Sequence, residues 1–331
     1  MHPTEQDIKN ETARLFEKLQ RVGWSMPDCE IIAPLTLEIN LLKKEKNAII
    51  LAHSYQTPDI QYGIADIIGD SYGLSMEATK TNAEIIIFCS VEFMGETAKI
   101  LNPQKTVLVP KVSGCSLAES VTVDDVNKMK SEHPNTKVVC YVNTTAAIKA
   151  ECDACCTSSN ASKIIENMEG DEVIFLPDEL MAQNLKTSKK IIPWKGRCIV
   201  HEEFSLEKVK SLKHDYPEAL IVAHPECLPE VVKSADFTGS TEQMYDFIKK
   251  SDSTQFLLIT ECGLSSRIQV ELKDKKVVGT CSACPYMKKI MLKDVLSCLK
   301  SPSPDQIVDI PEDILKRAKR SLDKMVEIVE G

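Results

Sequence analysis

The chain repeats one pattern three times along its length, and each copy ends in a cysteine. A copy begins with an apolar run that stops at a polar residue, which is His53, Asn143 or His224. A polar stretch with small hydroxyl residues, a second apolar run and a lysine-led segment then follow. The cysteines lie at nearly equal intervals, which is typical of a chain built from repeated structural units. They are Cys115, Cys198 and Cys284.

The apolar runs predict short strands that alternate with helices. Runs of this length, separated by helical stretches, suit strands buried in a parallel sheet. We therefore expect an α/β fold in which three pseudo-threefold-related α/β/α domains, with short parallel sheets, surround a central active site. The first runs are 48–52, 138–142 and 219–223, and the second runs are 85–88, 173–176 and 256–259.

The predicted domain boundaries follow the repeats. Residues 1–131 form the first α/β repeat together with an N-terminal helix, 132–214 form the second repeat, and 215–300 form the third. An amphipathic stretch over 311–330 predicts a final helix, which we expect to pack back on the first repeat. No low-complexity linker separates the repeats, so one compact body is expected.

Composition restricts the classes of function. With 43% apolar and 27% charged residues, the chain can bury a large core. No apolar run approaches the ~20 residues of a membrane helix, and the N-terminus has no signal-peptide core. The formal charge of −9 and the aromatic content of 5% argue against nucleic acid. We expect a cytoplasmic protein that acts on small molecules, with neither a nucleic acid nor a membrane as partner.

The thirteen cysteines favour metal binding or catalysis over disulfides, because a chain without an export signal is expected in a reducing compartment. Cys281 is interpreted as an additional thiol in preference to a fourth metal ligand or a redox neighbour. Cys152, Cys155 and Cys156 fall outside the repeated position and are interpreted as incidental. Six others are predicted to be small buried hydrophobes. These six are Cys29, Cys89, Cys140, Cys227, Cys262 and Cys298.

The polar ends of the first apolar runs predict a shared cleft, because ligands of parallel α/β sheets bind beyond the carboxyl ends of the strands. Ser71, Ser159 and Ser240 each come just before a predicted helix, whose N-terminal N–H groups attract anions. One such serine alone is an ordinary N-cap. Their recurrence in all three copies predicts substrates with several negative charges. The residues expected at the mouth of the cleft are His53, Tyr55, Asn143 and His224.

The three repeated cysteines could hold zinc, a [4Fe–4S] cluster or no metal. The first two lack the paired C-x-x-C spacing of zinc sites, and Pro285 after the third is a weak iron–sulfur signal. A cluster with three protein ligands would leave one iron open as a Lewis acid. His201 could hydrogen-bond cluster or substrate, and the spacing of His224 and Glu226 suits an acid–base pair.

A series of ordered segments over 48–290 carries a family resemblance. The segments are AHSYQTPDIQ, GDS, VEFMGETAKIL, GCSLAE, YVNTTAAIKA, CTSSNA, FLPDELMAQN, GRCIVHEEF, AHPEC, ADFTGSTEQM and CPYMKK. Together they resemble quinolinate synthase, the iron–sulfur enzyme family of de novo NAD synthesis. The resemblance implies three α/β domains around a pseudo-threefold axis, each giving one cluster cysteine. Ser90 and Gly95 stand where the family is expected to have glycine and alanine.

The resemblance also implies an activity and its residues. The activity is condensation of iminoaspartate with dihydroxyacetone phosphate to quinolinate, with loss of phosphate and water, and an aspartate-oxidising enzyme is the expected supplier. The implied cofactor is a [4Fe–4S] cluster bound by Cys115, Cys198 and Cys284. The implied catalytic residues are Tyr55, Glu226, His224 and His53. The implied substrate-binding residues are His53, Ser71, Tyr141, Asn143, Ser158, His201, His224, Glu226, Ser240 and Thr241, of which the last two match a phosphate-contacting pair.

Two other functions stay open on the residues alone. A cluster-dependent hydro-lyase acting on a small hydroxy acid would also use an open iron, but it would need no phosphate pocket. A non-enzymatic iron–sulfur or zinc sensor would instead have a fully ligated metal. The absence of a DNA-binding element in the sequence disfavours the sensor.

Overall fold

A computed structural model describes residues 4–279 and 281–331. These residues form three four-stranded sheets, in which every strand pair is parallel. Within each sheet the strands have the same spatial order, with the second strand of the unit at one edge, followed by the first, third and fourth. The prediction of an α/β fold made of three similar units is therefore confirmed.

Each unit places helices between consecutive strands. Before the first sheet come α1 (Glu5–Leu19) and α2 (Met26–Glu45). The first unit contains β1 (Ala48–His53), α3 (Pro58–Gly63), β2 (Ile67–Gly69), α4 (Ser71–Lys80), β3 (Ile85–Cys89), α5 (Glu92–Leu101) and β4 (Thr106–Leu108). The second contains α6 (Val123–Glu132), β5 (Lys137–Tyr141), α7 (Ala146–Ala150), β6 (Ala154–Cys156), α8 (Ala161–Glu166), β7 (Glu172–Leu176), α9 (Glu179–Asn184) and β8 (Lys190–Pro193).

The third unit repeats this order and is followed by two more helices. It contains α10 (Leu206–Asp215), β9 (Leu220–Ala223), α11 (Pro229–Ser234), β10 (Phe237–Thr238), α12 (Thr241–Lys250), β11 (Gln255–Ile259), α13 (Cys262–Glu271) and β12 (Lys276–Val278). The last helices are α14 (Leu292–Lys300) and α15 (Glu312–Glu330). Short 3₁₀ helices span Gln20–Val22, Ala118–Ser120, His201–Glu203 and Pro304–Gln306. Within the described residues, no helix combines the length and apolar character needed to cross a membrane.

The two central strands of each sheet carry the core. These strands are rich in β-branched and aromatic residues. Because they are covered on both faces, their sequences are continuous apolar runs. In the first sheet, Leu51 lies opposite Ile67 on one side and Phe88 on the other. Phe88, Phe175 and Phe256, on the third strands, are fully buried. Burial of each such side chain stabilises the fold by about 1.5–3 kcal/mol.

The N-terminal segment folds as two helices, of which the sequence pattern predicts the first. A capping box between Thr4 and Asp7 starts α1, and Gly23, with a φ of 88°, ends the turn that follows it. The longer α2 packs against α1, β1 and α14. Because it has neighbours on several sides, its apolar residues do not form one stripe, and the helical period is weak.

The final helix lies mainly on the second unit, whereas the sequence analysis expected it on the first. It packs against α7, β6 and α8, and it contacts α5 of the first unit as well. Ala318, Leu322 and Met325 are buried along its apolar face, and Arg317 forms an ion pair with Glu151. The helical period fixes which face of α15 is buried, but it does not specify the surface that receives it.

Candidate active site

The carboxyl ends of the first strands of all three units meet at one cavity, which His53, Asn143 and His224 line. The Tyr55 N–H donates to Nδ1 of His53 at 3.1 Å, and the Glu226 N–H donates to Nδ1 of His224 at 3.4 Å. Each neutral ring therefore carries its proton on Nε2. Within the described part of the chain, the buried Oδ1 atom of half-buried Asn143 has no hydrogen-bond partner. The three units thus present polar groups that are ready to bind a ligand.

Both strand-end histidines are neutral at pH 7. Burial lowers the pKa of His53 to about 3, and the positive charge of Lys288 acts in the same direction. Burial likewise lowers the pKa of His224 to about 3, although the carboxylate of Glu226 opposes the shift. Neutral imidazoles in this tautomer can donate Nε2–H to a substrate oxygen.

These histidines predict acid sensitivity of the fold. Between about pH 6.5 and 3, these two imidazoles bind protons in the unfolded chain but stay neutral in the folded chain. The free energy of unfolding therefore decreases as the pH falls through this window. Each histidine contributes a slope of about 1.4 kcal/mol per pH unit. Urea unfolding between pH 7 and 5 measures the slope, and His53→Gln should reduce it. An identical slope in this variant would contradict the buried, neutral state of His53.

Glu226 joins two hydrogen-bonding partners deep in the cavity. Its Oε1 accepts from the Tyr141 hydroxyl at 2.7 Å, and its Oε2 lies 2.8 Å from Nδ1 of His201. Burial opposes ionisation, but His201, His224 and these hydrogen bonds outweigh it and hold the pKa of Glu226 below its usual range. His201 is itself buried, whereas an isolated histidine on a loop is usually exposed. The carboxylate of Glu226 thus has two hydrogen-bonding neighbours, Tyr141 and His201, that can exchange a proton with it.

A row of hydroxyl groups continues from His201 to the first unit. Nε2 of His201 is 2.9 Å from Oγ1 of Thr260, which is 2.7 Å from the Tyr55 hydroxyl. Thr241 donates to the same Tyr55 oxygen at 3.0 Å. Burial raises the pKa of Tyr55 well above its usual value, so the phenol keeps its proton. We call Thr241, Tyr55, Thr260, His201 and Glu226 the hydrogen-bonded chain.

The three repeated cysteines line this same cavity, as the sequence predicts for a shared site. Backbone N–H donors two and three residues later in the chain lie beside each sulfur and favour its ionised form. Burial raises the pKa of all three thiols, to about 12 for Cys115. The donors are Leu117 and Ala118 for Cys115, Val200 and His201 for Cys198, and Tyr286 and Met287 for Cys284.

This donor set fits a metal centre bound by thiolates. Sulfur is the ligand that iron–sulfur clusters use, and hydrogen bonds to the sulfurs are a recurrent feature of such sites. A bound cation would overcome the raised pKa values, because a coordinating thiol is deprotonated outright. The ligand atoms of Cys198, His201 and Glu226 also lie within 4.8 Å of one another, so other donors are near the sulfurs.

The remaining cysteines do not add a fourth ligand in the described structure. Cys281 forms a disulfide with Cys262, with the Cα atoms 5.1 Å apart. The expectation of an additional thiol at Cys281, and of a free buried thiol at Cys262, is therefore wrong. The fold brings these two cysteines together although they are 19 residues apart and share no sequence motif. Cys152, Cys155 and Cys156 are buried away from the cavity lining, as are the other five cysteines predicted to be hydrophobes.

The hydroxyl residues divide into two groups. Ser71, Ser158 and Thr241 line the cavity, together with Tyr55, Tyr141, His201 and Glu226. Ser240 is not part of the lining; its hydroxyl caps α12 and donates to Oδ2 of Asp70 at 3.0 Å. Ser159 is instead 2.8 Å from the Thr157 hydroxyl.

The helix starts differ in part from the expected serine caps. Asp70 caps α4, so Ser71 is the first residue inside that helix, and Asn160 occupies the N-cap position of α8. The N-termini of α4 and α12 nevertheless reach the cavity through Ser71 and Thr241. Their first-turn N–H groups have no acceptor within the helix and favour an anion.

Thr260 and Glu261 belong to the site, although none of the sequence motifs indicated them. Glu261 is buried in the cavity wall and accepts from the N–H groups of Cys284 at 3.1 Å and Gly263 at 2.6 Å. It also pairs with Lys288 at 2.9 Å. Both residues directly follow β11, so the strand-end rule applied to the second apolar runs, and not only to the first, would have found them.

The fold and the cavity define the class: an α/β enzyme of three similar units with one thiol-lined site where the units meet. The family described as quinolinate synthetase A protein matches residues 37–327. Quinolinate synthase of Sinorhizobium fredii is 46% identical over 326 residues, covering 97% of this chain and 89% of the relative. Quinolinate synthase 1 of Mesorhizobium japonicum is 43% identical over 322 residues, covering 95% and 97%. The chain belongs to the quinolinate synthase family, as its motifs predict, and is an enzyme of NAD biosynthesis.

Proposed function

We propose that this enzyme condenses iminoaspartate with dihydroxyacetone phosphate to form quinolinate, phosphate and water. The observation that carries the proposal is that three cysteines, one from each repeat of the sequence, line one cavity. Membership of the family and the ordered motifs support the same reaction. An enzyme that oxidises aspartate is the matching supplier, because its product is the imine.

The cofactor of this proposal is a [4Fe–4S] cluster held by Cys115, Cys198 and Cys284. When bound through three protein ligands, such a cluster supplies one open iron that acts as a Lewis acid toward a substrate oxygen. The disulfide of Cys281 agrees with this ligand set, since it removes the thiol nearest in sequence to Cys284.

The cavity matches the charges of the two substrates. The Nε2–H groups of His53 and His224 and the side chain of Asn143 can hold the carboxylates of iminoaspartate, and Ser71 and Ser158 add hydroxyl groups. The N-terminus of α12, with Thr241 in the cavity wall, suits the phosphate of the second substrate. Ser240 would support this end indirectly, by capping the helix.

The chemistry does not require a lysine. The imine tautomerises to an enamine, whose carbon is already a nucleophile, so no Schiff base with the protein is needed. In agreement, none of the described lysines lines the cavity. Lys149 is fully buried but donates to the carbonyl groups of Val142 and Thr144. Lys288 is held by Glu261.

Proton transfer falls to Glu226 and its neighbours. The Glu226 carboxylate can accept a proton, while Tyr141 and Tyr55, which keep their phenolic protons at pH 7, can donate to substrate oxygens. Because these groups line the same cavity as His53 and His224, they can reach a substrate that the histidines orient. The hydrogen-bonded chain connects the donors on the two sides of the cavity.

The proposed function is tested by anaerobic purification, iron and sulfide counts, and a quinolinate assay with both substrates. We expect about four irons per chain and quinolinate formation that depends on dihydroxyacetone phosphate. Tightly held zinc without iron would contradict the cluster. Turnover of a small hydroxy acid without a phosphate-bearing substrate would instead favour a hydro-lyase.

A further inference from the structure

We propose that Thr260 is a positioning residue, whose hydroxyl fixes the proton positions of Tyr55 and His201 across the boundary between the first and third units. The inference rests on the proposed function, because Tyr55 and His201 are assigned to that reaction. Thr260 is fully inside the protein, with 1% of its surface exposed. Its Oγ1 lies 2.7 Å from the Tyr55 hydroxyl and 2.9 Å from Nε2 of His201.

Counting protons assigns a direction to the hydrogen-bonded chain. Thr241 donates to the Tyr55 oxygen, so the phenol directs its own proton to Thr260. The single proton of Thr260 is then directed to Nε2 of His201, which accepts it in this arrangement. The other ring nitrogen, Nδ1, faces Oε2 of Glu226 at 2.8 Å and Sγ of Cys198 at 3.2 Å, so a proton on Nδ1 has acceptors there. This direction of the hydrogen bonds agrees with the ionised carboxylate of Glu226, which can accept hydrogen bonds but cannot donate them.

The contacts of the Thr260 hydroxyl with a tyrosine and a histidine are particular to the third unit. The residues that directly follow the equivalent strands β3 and β7 are Ser90 and Pro177. The Ser90 hydroxyl points to the sulfur of Met94 at 2.7 Å, and proline has no hydroxyl. Thr260 therefore does not simply repeat a structural role that all three units share.

Removal of the hydroxyl should disturb two groups together. In Thr260→Val, which keeps the shape of the side chain, the phenolic proton of Tyr55 and Nε2 of His201 both lose a buried partner. Misplaced supporting groups typically cost 10–100-fold in activity. We expect kcat to fall by about this factor while KM stays within about threefold, because the strand-end residues that orient the substrate are untouched.

The test compares three variants at Thr260 and one control variant, each made in the whole chain. Thr260→Ser restores the hydroxyl and should recover most of the lost kcat, whereas Thr260→Val and the smaller Thr260→Ala should not. Ser90→Ala removes the hydroxyl at the equivalent strand end and serves as the matched control with unchanged kcat. Melting temperatures identify a variant that fails to fold, in which case the alanine variant replaces the valine variant.

A second readout is independent of activity. The chain has six histidines, so ¹⁵N spectra of histidine-labelled protein can be assigned with a His201→Gln variant. We expect His201 to carry its proton on Nδ1 in the wild type and in Thr260→Ser, and to lose this preference in Thr260→Val. Unchanged kcat together with unchanged His201 signals would overturn the proposal. If wild-type protein forms no quinolinate, the proposed function fails, while the His201 signals still test the role of Thr260.

Discussion

Replacing Cys115 with alanine is expected to remove the iron and the quinolinate-forming activity together. The three cysteines belong to three separate repeats, and no other described cysteine lines the cavity, so a lost thiolate cannot be replaced by another thiolate of the cavity wall. Iron should fall from about four atoms per chain to below about one. Iron and sulfide analysis, visible absorbance and the quinolinate assay measure the result on anaerobically purified protein.

The matched control for this experiment is Cys298→Ala. Cys298 is buried in α14, remote from the cavity wall, so its replacement tests the general cost of removing a buried thiol. We expect it to keep both iron and activity. Full iron content and activity in Cys115→Ala would rule out the proposed ligand set, even if the family assignment stands.

Replacing Glu226 with glutamine is expected to lower kcat by about 10²–10⁴-fold, the contribution typical of a positioned acid or base. Glutamine keeps the shape and can still accept from Tyr141, but it loses the negative charge that faces His201. Because the lowered pKa keeps Glu226 ionised at neutral pH, the effect should persist across the neutral range. Steady-state kinetics of iron-replete protein measure it.

Glu230→Gln provides the control for the change of charge. Glu230 is exposed on α11 of the same unit, so its replacement should leave kcat unchanged. A Glu226→Gln enzyme with wild-type kcat and full iron content would remove Glu226 from the proton-transferring groups. Loss of iron in this variant would instead assign the residue a role in the metal centre.

The features that repeat along the sequence, which are the central strands and the cysteine at the end of each copy, could be predicted correctly. The apolar runs predict the central strands of all three sheets, and the cysteines at their repeated position do meet at one cavity. His53 and His224 follow from the rule that ligands bind at strand ends. These features depend on the local sequence pattern and on the strand order that all three units share. Both can be recognised from the sequence of one unit.

The features that the sequence did not predict depend on how the units pack. Tyr55 and Thr260 are 205 residues apart, and no spacing relates them. The disulfide between Cys262 and Cys281 likewise depends on the path of the chain after β12. Ser240 matches a phosphate-contacting motif, yet Asp70 of another unit attracts its hydroxyl. Contacts across unit boundaries are fixed by shape and burial, which periodicity does not record.

The common strand order has a consequence for how such a centre can diversify. In a ring of three identical subunits, every side chain on the axis must occur three times. Here the three units belong to one polypeptide, so His53, Asn143 and His224 can differ at the ends of equivalent strands while all three units supply a cysteine. A single polypeptide can therefore keep three equivalent thiols and still present a different polar group from each unit to the same cavity.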